Sequence, residues 1–141
     1  MNKLSVVYAT KTNHSKKLGT AIAKALNIKA YNLKENPILE EVDLLFIVGG
    51  IYGGAALPEL LKFAQDLDEE RIKKVALITS SASQKHGQKE IRKILEEKNI
   101  QVVDELLSQG SFLIMKIGHP NSQDVKEAVD FAIRLSKEVI V

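Results

Sequence analysis

The chain has 141 residues, which suits one domain with its own core and needs no metal or disulfide staple. It has no cysteine, so disulfides, thiolate nucleophiles and cysteine-ligated zinc or iron–sulfur sites are excluded. The net charge is only +2, and the arginines Arg71, Arg92 and Arg134 are far apart, which argues against a nucleic-acid partner.

The apolar run Leu4–Tyr8 predicts a first strand. Met1-Asn2-Lys3 leads into it without a long apolar leader, and no run approaches the length of a membrane span, so a cytoplasmic protein is expected. Next comes Thr10-Lys11-Thr12-Asn13-His14-Ser15, followed by a helix predicted over Ser15–Leu26 with Leu18, Ala21, Ile22, Ala25 and Leu26 inward. A helix start carries free backbone N–H groups, and hydroxyls and an amide surround this one, which suits an anion. No Asp or Glu precedes Glu35, whereas Lys3, Lys11, Lys16, Lys17, Lys24, Lys29 and Lys34 all do. Lys16 and Lys17 fall in the first turn, where the macrodipole disfavours a cation by roughly 0.3–1 kcal/mol each. A bound phosphate reverses that sign. The plainer alternative is that Ser15 N-caps the helix and the threonines satisfy a turn. His14 reads as a loop donor rather than a base, because no nearby carboxylate in the sequence would orient it.

A second strand is predicted at Ile28–Asn32, then a connector at 37–41 with at most one helical turn. The third strand, Asp43–Gly49, is apolar almost throughout, which implies burial on both faces. It runs into Gly49-Gly50-Ile51-Tyr52-Gly53-Gly54. These glycines permit close backbone approach, and Tyr52 among them offers a stacking face for a planar ring. The alternative is a loop tyrosine packed on a helix. The spacing is not that of a dinucleotide fingerprint.

A helix is predicted at Pro58–Leu67, with proline suited to its first turn, and a fourth strand at Val75–Thr79. The polar segment Ser80–Gly87 then suits either the hydrogen-bonding edge of a heterocycle or a solvated turn, with Lys85 and His86 as exposed cations or as charges near that edge. A helix follows at Gln88–Lys98 with Ile91, Ile94 and Leu95 inward, then a fifth strand at Ile100–Leu106. Phe112–Ile117 fits either a strand continuation or an apolar loop. Asn121 or Ser122 caps a last helix, Gln123–Val139, whose inner stripe is Val125, Ala128, Val129, Ala132, Ile133 and Ser136. His119, before Pro120, reads as a turn residue, and no two histidines have metal spacing.

This alternation predicts a single α/β domain over residues 1–141, a doubly wound five-stranded parallel sheet of order 2-1-3-4-5 in a three-layer sandwich. The chain then reverses direction between strands one and three, and a ligand sits beyond their carboxyl ends. Loops 9–15, 50–57 and 80–87 meet there. An acidic cluster after the first strand and an aspartate ending the third would mark a phosphorylatable receiver, and both are missing. A nucleoside-triphosphate loop is missing as well.

A phosphate loop after strand one, a Gly/Tyr loop after strand three and a polar loop after strand four, in that order, resemble the flavodoxin family over essentially the whole chain. Thr10–Ser15 is similar to that family's phosphate loop, with Asn13 in place of its usual glycine. Gly49–Gly54 through Leu60-Leu61-Lys62-Phe63 is similar to its second flavin loop and the following helix. Gly118-His119-Pro120-Asn121 with Asp124, Ala128, Phe131 and Ala132 is similar to the C-terminal part of many of its members. The resemblance implies noncovalent flavin mononucleotide (FMN). Thr10, Lys11, Thr12, Asn13, His14 and Ser15 would lie at the phosphate, and Tyr52 would stack on the ring. Gly50, Ile51 and Gly53 would border its redox-active edge, and Ser80, Ser81 and Gly87 its pyrimidine side. It also implies a short form, with redox-protein partners. Typical members are strongly acidic, whereas this chain is slightly basic, so a less negative reduction potential is expected. Electron transfer is the leading expectation. The alternatives are an FMN-dependent reductase of a quinone or porphyrinogen type, and a flavodoxin-fold interaction module that has lost its flavin.

Overall fold

The computed structural model describes residues 3–9, 14–52, 55–80, 88–108 and 122–140. Its strands are β1 (Leu4–Tyr8), β2 (Ala30–Asn32), β3 (Leu44–Tyr52), β4 (Ala55–Ala56), β5 (Lys74–Ser80) and β6 (Gln101–Ser108). Its helices are α1 (His14–Leu26), α2 (Pro58–Asp66), α3 (Lys89–Glu97) and α4 (Ser122–Ile140), with one 3-10 turn at Leu33–Glu35. The sheet order is β2-β1-β3-β5-β6, all parallel, and the short β4 turns back antiparallel onto the end of β3. Leaving that hairpin aside, this is the expected five-stranded order 2-1-3-4-5.

Side chains alternate across the sheet with the two-residue period of a strand. Val7, Leu45, Ile47 and Leu77 pack on one face with Leu60 of α2 and Ile91 and Leu95 of α3. Val6, Phe46, Val48 and Ile78 pack on the other with Leu18 and Ile22 of α1 and Ala128, Phe131 and Leu135 of α4. Asn27, Asn36 and Asn99 adopt positive φ where α1, the 3-10 turn and α3 end, since asparagine tolerates the left-handed cap better than most residues.

Several boundaries differ from expectation for local reasons. β3 runs three residues past Gly49, and its glycines are paired strand residues: Gly49 lies opposite Thr79 and Gly50 opposite Ser80. Ile51 and Tyr52 continue the strand by pairing with Ala56 and Ala55. On α1, Ala25 is exposed and Ala23 is buried, so the helix is turned slightly from its expected face. On α4 the buried set is Ala128, Phe131, Ala132, Leu135 and Ser136, while Val129 and Ile133 are only half-buried. The segment 112–117 and Asn121 lie outside the described residues.

Candidate functional site

The carboxyl ends of the strands form one edge. The Ala9 N–H donates to the Val48 carbonyl at 3.0 Å, which ties the exit of β1 to β3. Further along that edge Gly50, Ser80 and Ser108 stand in one row of neighbouring strands. α1 begins at this edge with His14 as its first residue, so the N–H groups of His14, Ser15 and Lys16 have no partner within the helix. The first turn holds no acidic residue, and Lys16 and Lys17 are exposed.

Ser15 is the informative side chain. It lies inside the first turn, is fully buried, and its Oγ has no hydrogen-bond partner among the described residues. A buried hydroxyl left unpaired costs about 1–3 kcal/mol, and buried polar groups are nearly always satisfied. The orphan sits among the free N–H groups of a helix start, where an anion oxygen would satisfy both. α1 can approach β1 closely because Gly19 faces the Tyr8 ring; a Cβ at Gly19 would stand 3.2 Å from Tyr8 Cδ2. Burial, and then the Glu35 carboxylate, push the Tyr8 phenol above its ordinary value.

A second polar cluster supports the edge at β5 and β6. Gln88, at the start of α3, is fully buried and donates from Nε2 to the Ile78 carbonyl at 3.2 Å and to Thr79 Oγ at 3.0 Å. Its backbone N–H donates to Glu105 Oε2 at 2.9 Å, which also accepts from Thr79 Oγ at 3.2 Å. Arg92 closes the group with a 3.0 Å ion pair to the other Glu105 oxygen. The Glu105 carboxylate thus satisfies the start of α3 from the neighbouring strand and complements its dipole. Among the described residues Gln88 Oε1 is the other buried side-chain polar atom without a partner, and it lies behind Gly49, where an added Cβ would meet it at 3.5 Å.

Of the residues expected at the site, His14, Ser15, Gly50, Ile51, Tyr52 and Ser80 are brought to this carboxyl edge by their backbone positions. Thr10, Lys11, Thr12, Asn13, Gly53, Ser81 and Gly87 lie outside the described residues, as do Lys85 and His86 and the side chains of His14, Ile51, Tyr52 and Ser80. Sequence reasoning missed Thr79, Gln88, Glu105 and Ser108. A β-bulge between Val75 and Ala76 sets Asp104, not Val103, opposite Ala76. That one-residue shift turns Asp104 toward α4, where it pairs with Arg134 at 2.9 Å, and Glu105 toward α3. No sequence signal marks the bulge. Among the described residues no acidic or histidine cluster has the form of a metal site, and no helix is long and apolar enough to cross a membrane.

A doubly wound parallel sheet with a helix start and a paired Gly/Ser row at its switch point defines the flavodoxin-like fold class. The chain belongs to the flavodoxin domain family, which it matches over residues 5–115. No curated protein matches it. Among solved structures, a flavodoxin from the domain Archaea superposes with a TM-score of 0.75 at 16% identity, covering 99% of both chains. A short-chain flavodoxin associated with a bacterial microcompartment gives 0.70 at 20% identity, again over 99% of both chains. A WrbA-like flavodoxin from Agrobacterium tumefaciens gives 0.71 at 14% identity, over 99% of this chain and 98% of that one. At such identities the likeness establishes the fold. Membership of the family implies a flavin cofactor.

Proposed function

We propose that the protein binds FMN noncovalently at the carboxyl edge of the sheet and serves as an electron carrier between redox proteins of the cytoplasm. The observation that carries this reading is the buried, unpartnered Ser15 hydroxyl in the first turn of α1. It fits a phosphate oxygen, and the neighbouring N–H groups and the exposed Lys16 and Lys17 fit its charge. Thr10, Lys11, Thr12, Asn13 and His14 complete the cradle in this reading. Gly50, Ile51, Tyr52 and Gly53 flank the ring, and Ser80, Ser81 and Gly87 take its pyrimidine side. When bound, the flavin supplies the redox chemistry; the side chains named here bind it, orient it and tune its charge environment.

Fluorescence titration with FMN and with riboflavin, which lacks the phosphate, tests the reading. FMN is expected to be quenched saturably at sub-micromolar concentration, with riboflavin weaker by at least about tenfold. Ser15→Ala is expected to weaken FMN by about tenfold and to leave riboflavin unchanged. Equal affinity for the two flavins, or no saturable quenching by a folded sample, contradicts it.

A further inference from the structure

The crossover from β2 to β3 carries little helix. Residues 33–43 make it with one 3-10 turn and then irregular chain, where a parallel crossover ordinarily carries an α-helix. A groove of about 340 Å³ is left between this connector and α2. Leu33, Leu39, Phe63, Leu67 and Ile72 line it. Ile38 stands on its lip at 87% exposure, the one large apolar side chain so exposed among the described residues.

The rim is acidic. Glu59, Asp66 and Asp68 border the groove, and Glu40, Glu41 and Glu70 border the adjoining hollow, which shares Ile38 and Arg71 with it. Of the cations nearby, Lys62 pairs with Asp66 at 3.2 Å and Arg71 with Asp68 at 3.5 Å, while Lys3, at the far side of the hollow, is outnumbered by the rim carboxylates. Glu40, Glu41, Glu59 and Glu70 have no cation partner among the described residues. An apolar floor inside an acidic rim suits a basic amphipathic occupant. We propose that this groove docks a basic amphipathic helix of a partner protein, with the helix's apolar stripe on Phe63, Leu67 and Ile38 and its lysines or arginines facing the rim carboxylates. A second copy of the chain fits less well, because two such rims would meet with like charge. Asp68, Arg71 and Ile72 precede β5, so the groove opens toward the amino ends of the strands. The docked helix leaves the carboxyl edge clear, and the inference stands independently of flavin binding.

The test uses the full chain, 15N-labelled and without flavin, and as probe an amphipathic helical peptide of leucine and lysine. A scrambled peptide of the same composition, with no apolar face, is the control. Saturable amide shifts confined to residues 33–41 and 59–72 are expected with the first peptide and none with the second. Ile38→Ser and the double change Glu40→Lys, Glu70→Lys each alter only exposed side chains and are expected to weaken binding by about tenfold. Equal binding of both peptides, shifts centred on the carboxyl edge, or indifference to both variants would overturn the proposal. So would a dimer in sedimentation that Ile38→Ser disperses, since the occupant would then be a second copy.

Discussion

Ser15 and Gln88 each bury a polar atom that the described fold leaves unpaired, and the two stand at the starts of α1 and α3. For Ser15 the consequence is testable without flavin. Removing an unsatisfied hydroxyl relieves a cost of about 1–3 kcal/mol, so Ser15→Ala is expected to leave the thermal midpoint of the apo-protein unchanged or raised. A clear drop on calorimetry would mean that the hydroxyl has an internal partner and is not waiting for a ligand. Gly49 is constrained differently: a Cβ there would stand 2.6 Å from Leu60 Cδ2, and Leu60 is fully buried against the sheet. Gly49→Ala should therefore push α2 outward and cost about 1–3 kcal/mol in denaturant unfolding. Asp104 gives a pH signature. Its hydrogen bond to the Arg134 guanidinium holds its carboxyl below the ordinary value. A depressed folded-state value stabilises above the unfolded value, about 3.9, and that contribution is lost as pH falls through the folded one. The pair is half-exposed, so Asp104→Asn should cost under about 1 kcal/mol at pH 7, and the difference should vanish in strong acid. Ser15 was legible in the sequence because it stands in a hydroxyl-rich run at a helix start. Gln88 and Glu105 were not, because their pairing depends on a bulge that moves every side chain beyond it to the opposite face.

At the scale of elements, strand order and helix count followed from apolar periodicity, while faces and ends did not. Periodicity put the inner stripe of α4 through Val129 and Ile133, whereas packing against α1 and β6 buries Phe131 and Leu135. β3 looked finished at Gly49 because glycine disfavours strands in isolation. Here Gly49 and Gly50 have neighbours in the sheet, and the β4 hairpin carries the pairing on to Tyr52. The Glu105 cluster joins β5, β6 and α3 at the end of the third loop. Glu105→Gln removes the negative charge that holds Arg92 and the Gln88 N–H, so amide exchange at Gln88 and Lys89 should accelerate while the centre of β5 stays protected. Equal acceleration throughout the sheet would show that Glu105 supports the whole fold rather than this loop end.

Over the whole molecule, charge is divided unevenly. α2 and α4 carry internal i,i+4 pairs, Lys62–Asp66, Lys126–Asp130 and Arg134–Glu138. α1 carries Lys16, Lys17 and Lys24 with no acid at all, and it starts at the candidate site. Cations there stabilise the negative charge added on reduction, so a bound flavin should have a less negative potential than in acidic flavodoxins, an effect weakened by salt. Redox titration giving a strongly negative value at low salt would refute that. The measurement that reaches the central claim most directly is an amide-shift map of the labelled apo-protein during FMN addition. Saturable shifts at residues 14–17, 50–52, 80 and 108, with the α2 groove unmoved, are the predicted result. Shifts elsewhere, or none in a folded sample, would contradict a flavin held at the carboxyl edge.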